Sequence, residues 1–109
     1  MRINHSLTGL LIAALLTACG EPDVTLQPVR LGVIVDSSGA SASLGISGRN
    51  GVQLAIEQHN ARGGIQGRTI EMLLQDDGFD PHQAKLAAKR LIDLKVDAAL
   101  GPMTSVIAE

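Results

Sequence analysis

The eight residues Val29 to Asp36 (VRLGVIVD) constrain this chain more than any others. They form a near-continuous apolar run rich in Val and Ile, and runs of that kind are strands buried on both faces, as in parallel sheets. A parallel neighbour cannot be reached by a tight turn; the chain needs a crossover, usually a helix. The sequence supplies two. From about Ser47 to Asn60, Val52, Ala55, Ile56 and His59 recur at helical spacing and predict one apolar face. Ala61-Arg62-Gly63-Gly64 predicts the stop, because glycine takes up the left-handed conformation that ends helices. Arg68 to Gln75 (RTIEMLLQ) predicts a second strand, with Ile70, Met72 and Leu74 alternating and Leu73 out of phase. Asp80 and Pro81 have the chemistry of an N-cap and a first helical residue. They open a second helix to about Leu94, with Ala84, Ala87, Ala88, Leu91 and Ile92 facing inward. Val96 to Leu100 predicts a third strand, and Ser105 a cap for a third helix beginning at Val106.

The order β-α-β-α-β predicts an α/β fold: the N-terminal part of a doubly wound lobe around a parallel sheet. Ligands of such sheets bind outside the carboxyl ends of the strands. Here those ends are the loops 36–45, 76–80 and 101–105.

Residues 1–18 read as an export signal. Arg2 supplies the positive charge, Leu7 to Leu16 the apolar core, and the core is shorter than the roughly 20 residues of a stable membrane span. Leu16-Thr17-Ala18-Cys19 resembles the lipobox of bacterial lipoproteins, in which the cysteine is acylated and becomes the N-terminus. Cys19 is the chain's single cysteine, so no pair remains for a disulfide. Residues 19–29 are expected to be a tether between lipid and fold, since Glu21 to Pro28 is polar with two prolines. Residues 30–109 are expected to be an incomplete first lobe, a truncated or fragmentary product, because three strands leave an uncovered sheet edge.

Composition narrows the function. The net charge of −2 and the mixed distribution of charge give no basic stripe for a nucleic-acid backbone. Phe79 is the only aromatic residue, so stacking platforms for bases or sugars are missing. Gly45, Gly48 and Gly51 do not follow the phosphate-loop spacing and predict close helix–sheet packing instead. Asp36, Asp76 and Asp77 sit at strand ends where three carboxylates could converge on a hard cation or make a phosphoacceptor site. An exported chain is the wrong setting for a phosphoacceptor receiver, and we read these aspartates as solvated turn residues. His59 and His82 have no partner ligands at metal spacing, and no serine lies in a nucleophile elbow. No catalytic residue, metal or cofactor is expected.

Taken in order, SSGASASLG, NGVQLAIEQHNARGGIQGR, QDDGFDP and VDAALGPMTS resemble the N-terminal segment of type I periplasmic solute-binding proteins, nearest the branched-chain amino-acid-binding type. The resemblance covers the whole predicted folded part. It implies a two-lobed protein closing on a small ligand, of which this chain holds part of lobe one. It implies a carboxylate site of hydroxyls and backbone N–H groups at Thr104 and Ser105, where a helix start favours an anion. It also implies a wall over the ligand after the first strand; the position is aromatic in many members and is Leu44 here. The expected function is a lipid-anchored substrate-binding protein in the cell envelope, exposed on the periplasmic side. It would deliver an amino-acid-like ligand to the permease of an ABC importer. An envelope sensor or enzyme activator on the same fold is the alternative, and neither is an enzyme.

Overall fold

A computed structural model describes residues 25–108. Three strands, β1 (Val29–Val35), β2 (Ile70–Asp76) and β3 (Ala98–Leu100), alternate with three helices, α1 (Ala42–Ala61), α2 (Pro81–Asp93) and α3 (Ser105–Ala108). The sheet is parallel throughout, in the order β2-β1-β3. β1 is therefore central, as its apolar sequence requires. It pairs over its full length with β2, from Val29↔Ile70 to Val35↔Asp76, and with β3 from Leu31↔Ala98 to Val33↔Leu100.

The chain leaves β1 toward β2, then crosses back over β1 to reach β3. Two right-handed crossovers in opposite directions lay their helices on opposite faces. On one face the core gathers Ile34, Ala87 and Leu91, with Leu73 and Val96 packed against it. Leu73, the residue out of phase in the sequence, thus covers the α2 side, while Met72 and Leu74 alternate to the other. Val33 and Val35 are wholly buried, as expected of a central strand covered on both sides.

Several expected boundaries shift. Helix α1 begins at Ala42 rather than Ser47, so the loop after β1 is shorter than its glycines imply. Val52 and Ile56 on α1 are half-buried, whereas Ala55 and His59 are exposed; the inward stripe runs through Gly45, Gly48, Val52 and Ile56. The helix ends as expected, with Gly63 and Gly64 at positive φ and the Gly64 N–H donating to the His59 carbonyl at 2.9 Å. Strand β2 begins two residues late and extends to Asp76. On α2, Ala84, Ala87 and Leu91 are buried, but Ala88 is exposed and Ile92 is 72% exposed. Strand β3 is three residues rather than five, because Val96 still donates its N–H to the Leu91 carbonyl in the turn leaving α2. Ser105 lies inside α3; the carbonyl of Thr104, one residue earlier, accepts the N–H groups of Ile107 and Ala108.

The amino-terminal edge of the sheet is tied by charge. Arg30 approaches Glu71 at 3.8 Å, and Arg68 approaches Asp97 at 3.9 Å while donating to the Gln27 carbonyl. Such exposed pairs contribute little each, but they fix where the chain enters β1. No helix among the described residues is long and apolar enough to cross a membrane.

Candidate functional site

The carboxyl edge of the sheet carries the loops. The β1–α1 loop, residues 36–41, is held by Asp36. Its Oδ1 accepts from the backbone N–H of Ser38 at 3.1 Å and of Gly39 at 2.5 Å, and its Oδ2 from that of Ser41 at 2.6 Å. Ser41 is the N-cap of α1 and makes no side-chain cap of its own. Asp36 therefore supplies the negative charge at the start of α1 from five residues upstream, where the helix dipole favours it. One turn into the helix, Gly45 passes so close to the end of β1 that a Cβ there would lie 1.8 Å from the Asp36 carbonyl oxygen.

Asp76 and Asp77 complete the edge. The Asp76 Oδ1 accepts from the N–H groups of Ser37 and Gly78, both at 2.9 Å, which joins the two loops. The Ser37 N–H, then the Ser38 hydroxyl, outweigh burial and lower the Asp76 carboxyl from 3.8 to about 2. The Asp77 Oδ1 accepts from the Phe79 N–H at 2.9 Å. Asp80 caps α2 as expected, accepting from Gln83 N–H at 2.8 Å ahead of Pro81.

This corrects one expectation. Asp36 and Asp77 are not solvated turn residues; they are 3% and 1% exposed. Single oxygens of Asp36, Asp76 and Asp77 do lie within 4.8 Å of one another, the convergence their strand-end positions suggested. Both oxygens of Asp36, however, are already engaged by backbone N–H groups, so its charge is committed to the loop. The sequence signal was an aspartate followed at short range by Ser, Ser and Gly, a local turn pattern; the burial itself is tertiary and has no such signal.

Thr104 and Ser105 stand together at the β3–α3 junction, Thr104 half-buried and Ser105 exposed. Leu44 lies in the first turn of α1 rather than in a loop, and is 54% exposed. The two regions approach through Gly48, one turn beyond Leu44, whose missing Cβ would sit 3.1 Å from the Met103 sulfur. They flank the place where the strand order reverses direction, between β1 and β3, which is where open α/β sheets bind ligands. Cys19 and residues 1–18 fall outside the described residues, as does most of the 19–29 segment. An apolar groove of about 570 Å³ lies elsewhere, on the α2 face, lined by Ile34, Ala84, Ala88, Ala99, Pro102 and Ile107 among others. It includes none of Leu44, Thr104 or Ser105.

A parallel three-stranded sheet in the order β2-β1-β3, with helices following its strands and loops gathered at its carboxyl edge, defines the class: lobes of Rossmann-like architecture. Residues 28–109 match the family model described as periplasmic binding protein. A Leu/Ile/Val-binding protein of Rhizobium johnstonii is 33% identical over 104 residues, 94% of this chain and 27% of that protein. The branched-chain amino acid transporter substrate-binding protein LivJ of Streptococcus pneumoniae, solved with isoleucine, superposes with a TM-score of 0.72 at 33% identity. The match covers 74% of this chain and 24% of that one. A fatty acid ABC transporter substrate-binding protein of Thermomonospora curvata gives 0.59 at 37% identity, covering 67% and 18%. The chain belongs to the type I periplasmic binding protein family, and its likeness is to the branched-chain amino-acid type. It spans about a quarter of the length of the first two relatives.

Proposed function

We propose that the protein carrying this segment is a lipid-anchored substrate-binding protein of an ABC importer, capturing a branched-chain amino acid or a close relative. The approach of α1 to the β3–α3 segment, where Gly48 meets Met103, carries this reading. One side offers hydroxyls at Thr104 and Ser105, the other an aliphatic side chain at Leu44. That pairing suits a small molecule with a carboxylate at one end and an apolar chain at the other. Both ligand kinds named for the relatives have this form: aliphatic amino acids, and a fatty acid. The partners in this reading are the ligand, the importer's permease and the membrane that holds an acylated Cys19 on the periplasmic side. Mass spectrometry of the mature protein should find a diacylglyceryl thioether on Cys19; an unmodified thiol would remove the anchor from this account.

Calorimetric titration of the full-length protein with leucine, leucinamide and a medium-chain fatty acid tests the ligand. Leucine should bind and leucinamide should not. Hydrogen bonds to a charged group are worth about 1.5–3 kcal/mol. Ser105→Ala should therefore weaken leucine by roughly tenfold to a hundredfold, at about 1.4 kcal/mol per decade. Leu44→Ala should weaken it less and alter side-chain preference. An unchanged affinity in Ser105→Ala would place the carboxylate elsewhere. Binding of the fatty acid alone would make the ligand an aliphatic acid without an ammonium group. Binding of neither would favour the sensor or activator role.

A further inference from the structure

The geometry points to Asp36 as a positioning residue for ligand selectivity: it fixes the first turn of α1, and with it Leu44, without touching the ligand. This inference rests on the reading of Leu44 as the apolar wall. Asp36 grips the chain on both sides of that residue. Its carboxylate holds the N–H groups of Ser38, Gly39 and Ser41, ahead of Leu44. Its carbonyl oxygen lies directly against Gly45, behind Leu44. Asp36 is 3% exposed, while Leu44, which it steers, is 54% exposed at the carboxyl edge. Among the described residues no side chain caps α1 directly: Ser41, the N-cap, makes no cap bond of its own, and Asp36 reaches the helix start through the Ser41 N–H. The start of the helix, and the direction in which Leu44 leaves it, are therefore set from the end of β1. Asparagine in place of Asp36 keeps the shape but turns one acceptor into an NH2 donor facing N–H groups, so the grip fails on one side.

The test measures leucine and alanine affinities of the full-length protein and its variants. Loss of a hydrogen bond to a charged carboxylate is worth about a decade in an equilibrium constant, so Asp36→Asn should reduce the leucine-over-alanine preference by up to about tenfold. Asp36→Glu, which retains the charge but displaces it, should do the same and stands in if the asparagine variant does not fold. Leu44→Ala should reduce the preference too, and the double variant should fall no further than the larger single effect. Asp80→Ala removes the N-cap bond of α2 and should leave the preference untouched, which separates positioning from general loss of stability. Asp36 variants that keep the wild-type preference, or a double variant whose effects multiply, would overturn the inference. If the wild type binds no aliphatic amino acid, the ligand reading fails first and the clamp is judged by amide exchange. Asp36→Asn should then speed exchange at Ser38, Gly39 and Ser41 while leaving Ala84 to Leu91 protected; unchanged rates at the first three would overturn it.

Discussion

Asp76 differs from Asp36 and Asp77 at the sheet edge in being exposed, so the bonds by which it joins the two loops are made at the surface. Two backbone N–H groups and the Ser38 hydroxyl favour its ionised form, which is why its carboxyl titrates near 2 instead of 3.8. A depressed carboxylate stabilises the fold above its unfolded pKa and loses that contribution as pH falls through the folded value. In the full-length protein, unfolding free energy should therefore decline between about pH 4 and pH 2, and Asp76→Asn should flatten that decline. Solvent screening at an exposed group limits the effect to about 1 kcal/mol. Denaturant titrations at several pH values read it directly, and an equal slope in wild type and variant would show that Asp76 is not the group responsible. Gly45 shows the opposite kind of constraint. It matters for what it lacks, since no side chain fits beside the Asp36 carbonyl.

The bounds of helix α2 are legible in the sequence, because the signals that set them are local: the Asp80 cap and the proline at its first position. Helix α1 was legible in kind but not in extent. Gly45 and Gly48 argue locally against helix, at about 1 kcal/mol each relative to alanine. Their reason for being there, contact with the end of β1 and with Met103, is tertiary. Strand β3 was read too long for a similar reason: Val96 has strand chemistry but is occupied by the turn leaving α2. For Asp36 and Asp77 the turn pattern is legible but the burial is not, because burial comes from tertiary packing that no local residue pattern displays. The inward face of α2 is the part of the reading that divides most sharply. Leu91 and Ile92 were both expected inside, yet one is 1% and the other 72% exposed. Leu91→Ala should destabilise the full-length protein by roughly 2–5 kcal/mol, whereas Ile92→Ala should stay within about 0.5 kcal/mol in chemical denaturation. A large loss at Ile92 would mean that this face packs against another part of the complete protein.

At the scale of the molecule, the more exposed edge of the sheet among the described residues is β3. All three of its residues are exposed, Leu100 by 44%, and Val106 of α3 is exposed by 68%. Unpaired edges flanked by apolar side chains pair with other chains. Residues 25–108 prepared alone should accordingly sediment as associated species or unfold without a cooperative transition; a monodisperse monomer with a sharp transition would show that the edge is protected. The central place of β1 also governs timing. The strand with the most apolar sequence is made first, but its second partner comes last: Arg30 donates its N–H to Asp97, 67 residues further on. Contacts that span so much chain form slowly, since the intervening loop must close before they stabilise anything. A nascent chain therefore carries its stickiest segment with one edge unpaired until β3 emerges. Throughout that interval the unpaired edge is open to pairing with other chains.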